Sequence, residues 1–143
     1  MSDYIDTSAL VKRYLAEPLS DEFDAYLTER PGAAISPLTV VELRCALARR
    51  RRSKDISRSY ETAAMAAFDA DVQQGCLEVV AIDNHRFQEA RRLIDQIADL
   101  PLRTLDALHL ATAQVHRCKA FATADKTQAE AARALGFQVH SFY

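Results

Sequence analysis

Apolar residues along this chain fall into short clusters with two alternating kinds of spacing, and the alternation predicts a layered α/β architecture. Brief runs suited to buried strands, Tyr4 to Asp6, Ala33 to Ser36, Leu77 to Ile82 and Ala120 to Thr123, are separated by stretches in which apolar positions recur every three or four residues. Ser8, a good N-cap residue, is expected to open a first helix through Leu15. A second helix is expected from Pro18, with Leu19, Phe23, Tyr26 and Leu27 at helical spacing and Pro31-Gly32 as its stop. Ser36-Pro37 reads as a cap followed by proline at the first helical position, opening a helix through Leu38, Val41, Leu43, Ala46 and Leu47 to an arginine run. Ile56 to Gln73 gives a further helix, ended by Gly75.

The second half repeats the pattern. Asp83 or Asn84 can cap a helix with Phe87, Ala90, Leu93, Ile94 and Ile97 on its apolar face, and Thr104 can cap one carrying Leu105, Leu108, Ala111, Thr112 and Val115. Lys126 to Leu135 is a helix with Gly136 as its C′ residue, and Gln138 to Phe142 an edge strand. Strands separated by helices argue for a mainly parallel central sheet flanked by helices. No internal repeat, linker or low-complexity segment interrupts residues 1–143, which read as a single domain.

Composition narrows the classes. Hydrophobic residues make up 49% and charged residues 27% of the 143 positions, the balance of a soluble globular domain with a genuine core. Cys45, Cys76 and Cys118 are too few and too scattered for a disulfide framework or zinc pattern, so they are expected to be buried thiols in a reducing cytoplasm. No basic-then-apolar leader opens the sequence and no apolar run suffices to span a bilayer.

The chemistry lies in four carboxylates. Asp6 and Asp125 stand at the ends of predicted strands, Glu42 one turn into the helix from Pro37, and Asp106 in the first turn of another helix. Acidic residues at the carboxyl ends of parallel strands point into the crevice where open α/β sheets bind ligands. If all four meet there, the cluster needs a cation, and oxygen-only ligation suits Mg²⁺ or Mn²⁺ better than zinc. Each also has a structural explanation: Asp106 complements a helix dipole and Asp125 is an N-cap candidate. Glu42 is flanked by Val40, Val41 and Leu43 and Asp6 by an apolar strand, so an unpaired carboxylate there is costly.

The stretches Tyr4 to Lys12, Ile35 to Leu43, Leu105 to Ala113 and Phe121 to Asp125 resemble, in order, spacing and flanking residues, the successive motifs of PIN-domain ribonucleases, and more narrowly the VapC toxins of toxin–antitoxin pairs. The resemblance spans essentially the whole chain. It implies a PIN-like three-layer sandwich and a metal-dependent endoribonuclease cleaving RNA phosphodiester bonds. It further implies that Asp6, Glu42, Asp106 and Asp125 bind one or two divalent ions: Asp6 and Asp106 as principal ligands, Asp125 directly or through water, and Glu42 orienting or deprotonating the attacking water. Ser8 and Thr123 are then hydroxyls that hold carboxylates in place. The partners implied are a cognate VapB-like antitoxin and an RNA substrate, with DNA reached only through the antitoxin; the apolar faces of the early helices exceed what a small sheet needs, so a homodimer and groove binding of an antitoxin segment are both expected.

Two other readings compete. A phosphatase with Asp6 as nucleophile calls for a second Asp two positions on, where Ser8 stands; a silent PIN scaffold that binds RNA or protein has no need of four acids. Arg49 to Arg52 with Lys54 are candidates to track RNA phosphates or meet an acidic partner, against a solvated helix end favoured by the dipole. Arg13, Arg44, Arg103 and Lys126 are weaker candidates for substrate contact. His109, one turn beyond Asp106, is expected to make a structural hydrogen bond, and a histidine metal site is improbable.

Overall fold

Successive residues of a strand point to opposite faces, and here that divides the core in two. The computed structural model describes residues 2–143. In β1 (Tyr4–Ile5) Tyr4 packs on one side of the sheet and Ile5 on the other; in β4 (Ala120–Thr123) Phe121 and Ala122 divide likewise. With β2 (Ala33–Ile35), β3 (Leu77–Val79) and β5 (Gln138–Ser141) they form a five-stranded parallel sheet in the order β3-β2-β1-β4-β5. Helices α1 (Thr7–Tyr14), α2 (Ser20–Thr28), α3 (Pro37–Arg52) and α4 (Arg58–Gln73) cover the Ile5 face with Leu10, Phe23, Leu43, Leu47 and Phe68. On the Tyr4 face α5 (His85–Gln96), α6 (Thr104–Val115) and α7 (Lys126–Ala134) contribute Leu93, Leu108, Leu110 and Ala131. The result is the three-layer sandwich expected. Among the described residues no helix is long and apolar enough to cross a membrane.

The strand order reverses between β1 and β4, so their carboxyl ends flank the topological switch point where such sheets take ligands. Asp6 follows β1 and Asp125 comes two residues after Thr123, the last residue of β4. Helices α3 and α6 start at the same edge, bringing Glu42 and Asp106 toward it.

Several boundaries depart from expectation for local reasons. The N-cap of α1 is Asp6, which accepts from the Ala9 amide, rather than Ser8, so the helix begins at Thr7. Ser20 binds back to the Leu15 carbonyl and the Glu17 amide, so Pro18 sits in a turn and α2 starts two residues later, after Leu19 in a left-handed conformation. Strand β3 stops at Val79 rather than Ile82 because its partner β2 has given way to the Ser36 cap. Arg58, under a Ser57 cap, opens α4, and Thr104 is the first residue of α6 with Arg103 as its cap position. Phe87 and Ile94 are exposed, because α5 turns Arg86, Ala90 and Leu93 inward instead; Val41, Leu105 and Val115 are exposed too.

A polar node ties α1 to α4. Arg13 grips Asp71 with Nε to Oδ2 at 2.7 Å and Nη2 to Oδ1 at 3.2 Å, and the Tyr14 hydroxyl donates to Oδ2 at 2.6 Å. Burial pushes the Asp71 carboxyl up, but the bonds from Arg13 and Tyr14 outweigh it and hold the group below its usual range. Asp71→Asn is expected to cost about 2 kcal/mol in denaturant unfolding at neutral pH. Because the folded carboxyl titrates low, that advantage is present above the unfolded value near about 4 and fades as pH falls through the folded one. Equal stability of variant and wild type at pH 7 would contradict the node's role.

Candidate active site

Asp6 is the most constrained of the four acids. It is 4% exposed, and each oxygen is claimed: Oδ1 accepts from the Ser8 hydroxyl at 2.6 Å and the Ala9 amide at 3.3 Å, and Oδ2 accepts from the Thr123 hydroxyl at 2.8 Å. The same two hydroxyls accept from the loop after β4, Ser8 from the Ala124 amide at 2.9 Å and Thr123 from the Asp125 amide at 3.0 Å. One carboxylate thus fixes the ends of both central strands. Burial raises its carboxyl to about 6, against the opposing pull of His109 and the hydrogen bonds from Ser8, Thr123 and Ala9.

Asp106 and Asp125 meet the expectation that they serve their helices. Asp106 Oδ2 accepts from the Arg103 amide at 3.1 Å, and Asp125 Oδ1 accepts from the Gln128 amide at 2.8 Å. The Gln128 side chain in turn donates to the Asp106 carbonyl at 3.0 Å, joining the first turns of α6 and α7. Burial raises the Asp106 carboxyl, and the negative charge of Asp125 adds to this, although the Arg103 amide lowers it. Capping accounts for one oxygen of each; both residues also line the same cavity as Asp6.

Glu42 is held by a chain of hydrogen bonds that crosses the molecule. Its Oε1 accepts from the Thr7 hydroxyl at 2.8 Å and lies 2.6 Å from His109 Nε2, whose Nδ1 lies 2.6 Å from the Tyr4 hydroxyl. Burial keeps the Tyr4 phenol protonated, with a pKa well above its ordinary value. An ionised Glu42 only accepts, so His109 Nε2 carries a proton toward it. Burial alone would raise the Glu42 carboxyl; His109 and Thr7 more than compensate and hold it below its usual range. His109 therefore has the structural hydrogen bonds expected, but to Tyr4 and Glu42. Tyr4 and Thr7 in these roles, and Gln128, were invisible to sequence reasoning; only the hydroxyl next to Asp6 offered a signal.

All four carboxylates line one cavity of about 590 Å³, together with Thr7, Ser8, His109, Arg103, Arg49 and Arg50. Arg13 and Arg44 do not: the first is committed to Asp71, and the second to Glu61 at 3.0 Å. Lys126 sits over the Tyr143 ring instead. Cys45, expected to be buried, is exposed and borders the cavity, because α3 turns Leu43 and Leu47 to the core; Cys76 is half-buried and Cys118 is buried. Among the described residues, no three His, Cys, Asp or Glu side chains are grouped so that they could hold a metal ion as they stand. The donor set still fits a hard divalent ion that retains much of its water: the acids facing the cavity offer oxygen only, and among the described residues no Lys or Arg forms an ion pair with the buried Asp6 carboxylate.

These features define a class, a parallel α/β domain presenting acidic side chains at its switch point. The family model described as PIN domain matches residues 4–134. Ribonuclease VapC47 of Mycobacterium tuberculosis is 33% identical over 140 residues, covering 94% of this chain and 92% of that protein. Ribonuclease VapC46 of the same species is 34% identical over 114 residues, covering 78% and 73%. The chain belongs to the PIN-domain family, in its VapC ribonuclease branch. Among solved structures, M. tuberculosis VapC20, a toxin cleaving the sarcin–ricin loop, matches with a TM-score of 0.73 at 16% identity over 95% of this chain and 96% of that one. VapBC2 from Rickettsia felis, bound to a DNA fragment from its promoter, matches at 0.68 with 16% identity over 100% of both chains. At these identities the two structures speak for the fold.

An acid whose folded value is raised retains its proton longer in the folded state, so Asp6 lowers stability as pH climbs from about 4 through 6. With EDTA present at pH 7.5, Asp6→Asn is therefore expected to melt higher than wild type, by up to about 3 kcal/mol at 1.36 kcal/mol per unit. The gap should close near pH 4. A variant that melts lower at pH 7.5 would mean that the Ser8 and Thr123 bonds outweigh the buried charge.

Proposed function

We propose that this protein is a metal-dependent endoribonuclease, the toxin of a VapBC-type pair, with residues 1–143 acting as one PIN unit in the cytoplasm. The observation that carries the reading is the convergence of Asp6, Glu42, Asp106 and Asp125 on one cavity at the switch point, in a chain whose VapC relatives are ribonucleases. The intact quartet favours this over a silent scaffold.

Asp6, Asp106 and Asp125, with Glu42 beside them, are the residues that would hold Mg²⁺ or Mn²⁺. Such an ion, when bound, supplies positive charge for phosphoryl oxygens and eases the ionisation of water. The chain's own contribution is positional. Ser8 and Thr123 lock Asp6, so its oxygens need not reorganise as RNA arrives. Thr7 and His109 fix Glu42 through a single oxygen, in a state that can receive a proton from water attacking the phosphodiester. Arg103 on the rim, with Arg49 further along the wall, offsets part of the acidity that would otherwise repel a polyanion; Arg50 is held by Glu17 and Asp55, each at 3.2 Å.

A cognate VapB-like antitoxin is the natural inhibitor. Exposed Val41 and Leu105 beside the cavity give an amphipathic segment an apolar foothold, and the acids give it a site for a basic side chain. A homodimer fits the further apolar residues Phe87 and Ile94 exposed on α5.

Purified protein should cut a mixture of structured RNAs with Mg²⁺ or Mn²⁺ and stop in EDTA. Asp106→Asn is expected to lose at least about a hundredfold in rate, like the removal of a key electrostatic group, and Thr123→Val about ten- to a hundredfold through misplacement of Asp6. Folded wild type that leaves every RNA intact, with either metal, would favour the scaffold reading.

A further inference from the structure

A second hollow, of about 650 Å³, lies beyond the acidic cavity where α3 turns into α4. It is lined by Arg51, Arg52, Lys54, Asp55, Ser57 and Arg58, with Ile56 at its floor. The charges are unevenly paired. Arg51 is bound to Glu61 at 2.8 Å, and Asp55, the one carboxylate of the lining, faces Arg50 at 3.2 Å. Arg52, Lys54 and Arg58 are exposed and have no carboxylate partner among the described residues. The N-terminus of α4, a helix of 16 residues, borders the hollow through Ser57 and Arg58, with the Ser57 hydroxyl accepting from the Tyr60 amide.

Backbone geometry sets Lys54 apart from the other two. Helix α3 ends in a Schellman turn: the Lys54 amide donates to the Arg51 carbonyl at 2.9 Å and the Asp55 amide to the Arg50 carbonyl at 2.9 Å. Lys54 occupies the left-handed position, at φ 63°, that α4 and α7 fill with Gly75 and Gly136 at φ 80° and 92°. A lysine there carries strain that glycine would not. Arg117, after α6, stands in the same kind of turn at φ 55°, well away from either hollow, and so serves as an internal control.

We propose that this hollow is a phosphate-binding site for the RNA backbone, with Arg52, Lys54 and Arg58 as its contacts, reached from the acidic cavity along Arg49. Arg52 lies about ten residues beyond Glu42 on α3, or about 15 Å of helix, so a contact there is remote from the acids. The site would hold the strand away from the bond being cut and contribute affinity without reading sequence. This rests on the ribonuclease reading above, but concerns binding rather than cleavage.

The test is the salt dependence of binding, measured by fluorescence anisotropy with the full chain, a labelled oligouridylate and EDTA to prevent cutting. Removing one phosphate-binding side chain lowers the slope of log K against log salt by about 0.7 on a single strand, so Lys54→Gly should reduce it by about 0.7 and the Arg52→Ala, Lys54→Gly, Arg58→Ala triple variant by about 2. Lys54→Gly should at the same time melt about 2–4 °C higher, as should Arg117→Gly, which should leave the slope alone. An unchanged slope in the triple variant overturns the proposal, as does an equal reduction in Arg117→Gly or a wild type without salt-dependent affinity. A triple variant that keeps RNA but no longer binds an oligoglutamate peptide overturns it in favour of an acidic protein partner. Wild type that binds RNA with the expected slope yet never cuts it contradicts the nuclease reading alone.

Discussion

The carboxylate of Asp6 is the point on which the two halves of the structure close. It caps α1 through the Ala9 amide, and through Ser8 and Thr123 it is bonded to the strand and loop that follow from the opposite end of the sequence. Strands β1 and β4 lie side by side because their parallel register pairs Tyr4 with Phe121 and Ile5 with Ala122. That pairing puts the reversal of strand order, and hence the open crevice, immediately above Asp6. The residue that organises the crevice is also its most buried acid. A buried charge of that kind costs stability unless something positive offsets it, and His109 is a basic side chain set against it.

The remaining acids are held by different means, with different chemical consequences. Asp106 and Asp125 each give one oxygen to a helix start, so their orientation is set by secondary structure. Glu42 depends on tertiary contacts: Thr7 from α1 and His109 from α6, the latter steadied by a tyrosine of the central strand. The outcome is a division of labour among the carboxyls. Asp6 and Asp106 are shifted toward protonation, whereas Glu42 is shifted toward the ionised form.

Much of this was legible in the sequence because it depends on local patterns. Strand runs with small residues, Ser36-Pro37, Gly75 and Gly136 located the elements, and the four acids stood at predicted strand ends and helix starts that the topology brings to one edge. What escaped depends on rotation and distance. Phe87 and Ile94 have helical spacing, but spacing does not say which stripe of α5 faces inward, and Arg86, Ala90 and Leu93 took that place. Nor does it reveal that Arg13 finds Asp71, 58 positions away, and is therefore withdrawn from the substrate edge. The cap of α1 was misplaced by two residues because Ser8 and Asp6 are both good caps, and only the tertiary bond from Thr123 distinguishes them.

The central claim is that the acids at the switch point exist to hold a hard divalent ion. The most direct measurement is an anomalous difference map from crystals of the protein soaked in Mn²⁺. The account predicts a peak in the cavity bounded by Asp6, Asp106 and Asp125, with further coordination completed by water, and no such peak in Asp6→Asn crystals soaked alike. A wild-type map with that cavity empty at saturating Mn²⁺, from protein that still cuts RNA, would contradict it.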